Sequence, residues 1–286
     1  MADASIPVNL FNPGQVFASL GFLEVADVLL GEAEGGFDWS NEESTRFCLR
    51  ANGHENPFAA VLQFLAESEI RCYGPLGFVS TPAKSGSRKQ DGENAGLQSG
   101  VRIFEIGHWA DGSSRHRFKL YAGNRSGYSI VSDMIRGKRD KPRKKDADGE
   151  LKTKGLSSLW AECSSDLVAK PFDVLTAMGG SFNFDPRGGW TAIDAGYSLN
   201  EHSDHAISSS PVVEILAACG LEHTRPVEFE KRKVCYGAWN GCAPPILARA
   251  AFSGADVSLV VRKFRFALNL SGKNKVVTFA EEEKSA

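Results

Sequence analysis

The sequence predicts a single α+β domain over residues 1–286, in which helices pack on an antiparallel or mixed sheet. Several helices share one design, with a proline at the start and a glycine at the end. Strand-like segments lie between them, the clearest of them late in the chain. Strands and helices do not alternate regularly, which argues against a doubly wound parallel sheet. A chain of 286 residues with 42% hydrophobic residues can bury a large core.

The first helix shows this design most completely. Asn12 is a good N-cap, and Pro13 takes the first helical position, where its missing N–H costs nothing. Gln15 stands three residues after the cap, which is the spacing of a capping box. These residues predict a helix over about 13–30, which Gly31 ends.

Further helices follow from the same signals. Pro57 begins an amphipathic stretch, Ser210 precedes Pro211 as a cap, and Pro171 interrupts a later helical region. The predicted helices after the first cover 57–70, 127–135, 155–178, 211–220 and 244–254.

Strands are predicted where apolar residues alternate or cluster between turn residues. The pair Asp111-Gly112 lies between two such segments and favours a hairpin that joins them. The predicted strands cover 45–50, 101–109, 114–122, 227–239 and 257–270, and 181–198 reads as strand and turn.

Two segments have the composition of mobile insertions. Residues 80–100 carry no hydrophobic periodicity and are rich in Gly, Ser and charge. Residues 136–154 contain nine basic and four acidic residues, and we expect this segment to be solvated and flexible when free.

The basic segment is the strongest functional signal in the chain. Its cations could neutralise phosphates and release counterions, although a charged loop can also serve solubility alone. The candidate phosphate-binding residues in this segment are Arg136, Lys138, Arg139, Lys141, Arg143, Lys144 and Lys145.

Two predicted strands add basic faces. Arg115, Arg117 and Lys119 share one face of the first. In the second, Lys263 and Arg265 project opposite to a face that holds two phenylalanines. Cations interleaved with rings suit a groove that follows a nucleic-acid backbone. The alternative, which we favour for Phe264 and Phe266, is that their rings belong to the core.

The bulk properties limit the remaining classes of function. The net charge is −2, so any contact with nucleic acid must come from local clusters. No long apolar run or secretory signal is evident, and the six cysteines form no CxxC pair. We therefore expect no membrane partner, a cytoplasmic location and reduced thiols.

Signals for catalysis are weak. His202, Asp204 and His205 could ligate a metal, but they lie in a polar stretch without a second cluster of ligands, so we predict no metal and no other cofactor. Phosphate-cradling motifs and a nucleophile elbow are absent from the sequence. These observations favour a protein that is not an enzyme.

Three stretches together resemble a CRISPR-associated family. They are NPGQVFASLGFLEVADVL near the start, SPVVEILAACGLEHTRP, and YGAWNGCAPPILARAA, where the Asn240–Ala243 turn departs from the proline- and leucine-rich pattern. The order of the three resembles the small effector-complex subunit of type I-U (I-G) systems. That family has been viewed as a reduced large subunit or as a backbone-type, RAMP-like relative with a ferredoxin-like (RRM-like) core.

The resemblance implies a non-catalytic subunit of a Cascade-like complex that binds guide RNA, target DNA or both. Its partners would be the other Cascade subunits and the helicase-nuclease that the complex recruits. In such complexes the protein reads backbone and shape, and base pairing reads sequence.

Two alternatives from other classes stay open at this point. One is a guide-RNA-processing endoribonuclease that uses His108, His116 or His205 as general acid or base. The other is a scaffold that contacts only proteins, for which the basic segment would have no binding role.

Overall fold

The structure, a computed structural model, has an α+β architecture of helices and several antiparallel sheets. It describes residues 1–73, 94–100, 102–107, 118–121, 125–139, 151–188, 208–271 and 274–283. The α+β prediction is confirmed.

Six helices lie within this described part of the chain, and the first matches its predicted bounds. Asn12 caps it as expected, since its side chain accepts from the Gln15 amide at 3.2 Å. The Gln15 side chain instead accepts from the amide of Asn9, so the capping box is not formed in its usual way. The helices are α1 (Pro13–Leu30), α2 (Pro57–Glu67), α3 (Gly127–Arg136), α4 (Leu156–Ala169), α5 (Pro211–Gly220) and α6 (Pro245–Phe252).

The strands are short, apart from one near the C-terminal end of the described chain. They are β1 (Ala2–Pro7), β2 (Glu34–Asp38), β3 (Arg46–Ala51), β4 (Glu69–Tyr73), β5 (Asn94–Ser99), β6 (Arg102–Ile106), β7 (Lys138–Arg139), β8 (Leu151–Thr153), β9 (Thr176–Ala177), β10 (Ser208–Ser209), β11 (Val227–Glu230), β12 (Lys233–Trp239), β13 (Val261–Ser271), β14 (Asn274–Val277) and β15 (Glu281–Glu282).

The strands form separate sheets. The first has the order β1-β3-β2, the second β4-β5-β6, and the largest β11-β12-β13-β14, with β15 also paired to β13. The elements β1, α1, β2 and β3 form a split β-α-β unit, because β3 pairs antiparallel with both other strands. A ferredoxin-like sheet would require β4 to pair with β1. Among the described residues β4 instead pairs with β5, and β1 belongs to a different sheet, so the ferredoxin-like core is not confirmed.

Several predicted boundaries are wrong. Residues 94–99 of the expected loop 80–100 form β5, which makes a hairpin with β6 across Gly100, whereas the predicted Asp111-Gly112 hairpin lies outside the described residues. The segment 118–121 is irregular, with φ +56° at Phe118, so the described part of the predicted strand 114–122 is not extended. The segment 227–239 is two strands, and 181–188 contains no strand.

The core is built around α1 and α5, which pack closely with their N-termini at the same end. Helix α1 is buried on nearly all sides, which explains why it is apolar all round. A side chain at Gly21 would overlap the Leu216 carbonyl group, and one at Gly220 would overlap the backbone at Phe17 and Gly21. These glycines therefore allow the two backbones to touch.

Helix α1 is, within the described residues, the one helix that is long and apolar enough to cross a bilayer. Its mean hydropathy is 1.3, and 83% of it is buried inside the protein. Burial of that extent is what a core helix requires, and length and composition alone are weak grounds for a membrane span.

Two buried carboxylates fasten the N-terminal ends of these helices. Asp185 accepts from the Asn12 side chain at 3.3 Å and from the Ser210 amide at 3.4 Å, and it pairs with Arg187 at 2.7 Å. Glu214, in the first turn of α5, accepts from three backbone amides of the segment 182–185 at 2.8–3.0 Å. Both side chains have structural partners on every oxygen.

Candidate nucleic-acid interface

The two ends of the basic segment 136–154 form short strands, and residues 140–150 between them lie outside the described residues. Strands β7 and β8 pair antiparallel, with Lys138 opposite Thr153 and Arg139 opposite Leu151. We call β7 and β8, with Arg136 and Lys154 flanking them, the basic ribbon. It stands where α3 ends and α4 begins.

Two glycines set the base of the ribbon. Gly137 ends α3 with φ +79°, and its amide donates to the Asp133 carbonyl oxygen at 3.0 Å. A side chain at Gly137 would overlap the backbone of Thr153, and one at Gly155 would overlap Gly137 and Ile135. The end of α3 and the start of α4 therefore contact each other through the backbone of two glycines, and this contact fixes the distance between β7 and β8.

Arg125, two residues before the start of α3, holds this junction in place. The guanidinium of Arg125 donates to the Asp133 carboxylate at 2.8 Å, to the Ser129 carbonyl oxygen at 3.0 Å and to the Gly179 carbonyl oxygen at 3.2 Å. Ser126 and Ser129 complete a capping box at the start of α3. The base of the ribbon is thus a fixed part of the fold.

The ribbon concentrates positive charge on an exposed surface. Arg136, Lys138, Arg139, Lys152 and Lys154 are all exposed. Lys154 pairs with Glu162 at 2.6 Å, and since both side chains are about half exposed the pair is a weak surface ion pair. Lys152 and Lys154 belong to the basic segment, but sequence reasoning did not single them out.

The remaining candidates of the basic segment cannot be placed on the ribbon. Lys141, Arg143, Lys144 and Lys145 lie in the connection between β7 and β8, outside the described residues. They follow β7 directly in the chain, so they extend the same run of charge in sequence.

Strand β13 carries the second predicted basic face. Lys263 and Arg265 are exposed, whereas Phe264 and Phe266 are buried, which confirms that both rings belong to the core. Arg265 lies 5.0 Å from the centroid of the Phe229 ring, a cation–π arrangement on the outer face of the sheet.

Acidic residues of the last described segment neutralise part of this face. Glu282 forms a two-pronged pair with Arg262, and Glu283 pairs with Arg265, each with a shortest contact of 2.5 Å. The hydrogen bonds from Arg262 hold the pKa of Glu282 below its usual range. Two of the three cations of β13 are therefore balanced within the protein.

The first predicted basic strand is mostly outside the described part of the chain. Arg115 and Arg117 are not described, and Lys119 lies 4.9 Å from the centroid of the Tyr121 ring in an irregular segment. The described candidates thus lie in three places. Arg136, Lys138 and Arg139 are at the ribbon, Lys263 and Arg265 are on β13, and Lys119 is in the irregular segment 118–121.

The structure offers no metal-binding cluster among the residues it describes. No three His, Cys, Asp or Glu side chains come close enough there to hold an ion. His108, His116, His202, Asp204 and His205 all fall in ranges that the structure does not describe, so the predictions that concern them stay predictions.

Comparisons with family models, with curated proteins and with solved structures yield no match to this chain.

Proposed function

We propose that the chain is a non-catalytic, nucleic-acid-binding subunit of a CRISPR effector complex of type I-U (I-G), active in the cytoplasm in antiviral defence. The observation that carries the proposal is the basic ribbon, which exposes the five cations Arg136, Lys138, Arg139, Lys152 and Lys154. Three sequence stretches that resemble the small subunit of those complexes supply the biological setting.

The ribbon suits a phosphate backbone for physical reasons. Exposed lysines and arginines gain affinity by releasing counterions from the nucleic acid, which requires no sequence-specific contact. A binding segment whose two ends are already fixed loses less conformational freedom on binding than a free loop does. The proposed ligands are guide RNA and target DNA, and the proposed protein partners are the other Cascade subunits and the recruited helicase-nuclease.

Salt-dependent binding tests the proposal. The triple variant Lys138→Glu, Arg139→Glu and Lys152→Glu removes three cations of the ribbon. The slope of log affinity against log salt concentration is then expected to become shallower by about 2 for single-stranded RNA, at about 0.7 per phosphate contact. A matched triple reversal of the exposed Lys170, Lys231 and Lys233, which lie outside the ribbon, controls for net charge.

The outcomes separate the proposal from its alternatives. Equal loss of affinity in both triple variants would mean that only net charge matters and would remove the ribbon from the proposal. Cleavage of a repeat-containing RNA by the purified chain would favour the endoribonuclease. Retention of all partner subunits after nuclease treatment, with no nucleic acid protected, would favour the protein-only scaffold.

A further inference from the structure

A polar groove of about 590 Å³ lies between α4 and the sheet that contains β1 and β3. Arg46 and Ser5 line it from the sheet, Asn56 lines it from the start of α2, and Trp160, Ser164 and Ser165 line it from α4. The groove therefore combines one large ring, one cation and several hydroxyl or amide groups. None of these residues was singled out from the sequence.

Trp160 is the only aromatic residue lining this groove within the described part of the chain. Its side chain is partly buried and packs against the core, which holds the indole in place. Among the described residues, no side chain or carbonyl accepts a hydrogen bond from its indole N–H, and no ring stacks on it. An indole of this kind brings an apolar ring and one N–H donor to the groove.

Arg46 brings a fixed positive charge to the same groove. Its Nε donates to the Ser5 hydroxyl at 2.8 Å and a terminal nitrogen donates to the Ser5 carbonyl oxygen at 2.7 Å. Both acceptors are uncharged, and no carboxylate pairs with Arg46 among the described residues. The guanidinium thus keeps its charge available for an anion at no cost of breaking an ion pair.

The fold also places this groove next to the basic ribbon. Helix α4 begins at Leu156, directly after the ribbon, and Trp160 follows one turn later. At about 1.5 Å per residue, Trp160 lies roughly 6 Å along the axis from the first residue of α4. The helix is kinked at Cys163, where φ is −146° and ψ is 43°, so the serines that follow lie past a bend.

From this geometry we propose that the groove binds one nucleotide of a single-stranded nucleic acid, with its base stacked on Trp160 and a phosphate at Arg46. The inference rests on the proposed function and names a second contact for the strand that the ribbon holds. Base stacking on an aromatic ring tolerates every base, which suits a protein that leaves sequence reading to base pairing.

Fluorescence and affinity measured together test the groove. The probe is an oligothymidine of about 16 nucleotides, at the upper end of usual site sizes, and its comparison strand has the same backbone without bases. Stacking on Trp160 is expected to quench the fluorescence of the chain with oligothymidine and much less with the abasic strand.

The variant Trp160→Leu separates stacking from charge. It is expected to lose the base-dependent quench and to bind oligothymidine roughly 5- to 150-fold more weakly, with the salt slope unchanged. Arg46→Gln is expected to make the salt slope shallower by about 0.7, the value of one phosphate. Phe279→Leu, which alters a half-exposed ring elsewhere, is the matched control and keeps the wild-type values.

The outcomes distinguish the groove from the ribbon. Persistence of the base-dependent quench in Trp160→Leu, or equal weakening for both strands, would overturn the stacking proposal. Loss of a partner subunit with nucleic-acid binding intact would make the groove a protein interface instead. The ribbon variant could keep the wild-type salt slope while Trp160→Leu loses base-dependent binding. That result would refute the phosphate-binding role of the ribbon and support the nucleotide site in the groove.

Discussion

The buried carboxyl of Glu214 makes the stability of this protein depend on pH in a direction that can be calculated. Its side chain is fully buried, and burial raises its pKa from the ordinary value of 4.5 to about 7. The neighbouring Asp185 carboxylate also raises it, whereas the amides of Phe182 and Asp185 and the Ser181 side chain lower it. Arg187 pairs with Asp185 and partly offsets that negative charge.

The sign follows from proton uptake. Between pH 4.5 and about 7 the folded chain holds a proton on Glu214 that the unfolded chain has released. Unfolding therefore releases a proton in this window, and the free energy of unfolding falls as the pH rises. The difference between the two pKa values lowers the free energy of unfolding by about 3 kcal/mol between pH 4 and pH 8, at about 1.36 kcal/mol per unit of pKa difference.

The variant Glu214→Gln removes this titration and keeps the shape of the side chain. Its amide oxygen can accept from the amides of Phe184 and Asp185, as one carboxylate oxygen does now, but its NH₂ group would face the amide of Phe182. The buried donor left without a partner costs about 2 kcal/mol at acidic pH. Since the variant does not lose stability as the pH rises, the two stabilities should converge or cross before pH 8.

Urea denaturation of both proteins at several pH values between 4.5 and 8.5 measures this difference. The control variant Glu105→Gln changes an exposed carboxyl, and its free energy of unfolding should depend on pH as that of the wild type does above pH 5. Parallel profiles for wild type and Glu214→Gln would refute the reasoning, because they would mean that Glu214 does not titrate in this window.

Two further substitutions probe the core and the last sheet. Gly21→Ala should lower the free energy of unfolding by about 3 kcal/mol, because the new methyl overlaps the Leu216 carbonyl. The control Val28→Ala, on the exposed side of the same helix, should lower it by at most about 0.5 kcal/mol. Equal effects of the two variants in thermal denaturation would contradict the close packing of α1 and α5. Glu282→Gln should cost at most about 1 kcal/mol at pH 7, since its pair with Arg262 is partly exposed. That pair is fully formed above the ordinary pKa of 4.5 and is lost as the pH falls through the lowered folded value, so a variant that differs from wild type as much at pH 3 as at pH 7 would contradict it.

The predictions that succeeded rest on local signals. Helix α1 keeps its predicted start and end because Asn12, Pro13 and Gly31 act within one or two turns of the chain. Helix α5 repeats this with Ser210 and Pro211. The burial of the phenylalanines of β13 follows equally from alternation along one strand.

The strands that the sequence analysis did not predict depend on residues distant in sequence. Strand β2 contains two glycines and holds its place through β3 and through Ala243, which exchanges two backbone hydrogen bonds with Gly35 at 2.9 and 3.0 Å. The strand β7 is only two residues long and exists because Gly137 and Gly155 touch across the ribbon. No periodicity of a single segment could indicate either pairing.

The groove was missed for the same reason. Arg46 and Trp160 belong to β3 and α4, which both pack on α2, and this tertiary arrangement brings them to one groove. A lone arginine in a strand and a lone tryptophan in a helix carry no sequence signature of a shared site. Only the three-dimensional structure shows that the two residues line the same groove.

The repeated start signal of α1 and α5 has a physical explanation in the buried carboxylate that joins them. Two helix N-termini at one end of the core concentrate positive dipole charge, and Asp185 provides the opposite charge there. Helix α3 packs against α5, and α4 packs against α2 and α3, so the junction that carries the basic ribbon is built on this core. A ribbon whose base is held from both sides in this way would lose less conformational freedom in the proposed phosphate contact than a free loop would.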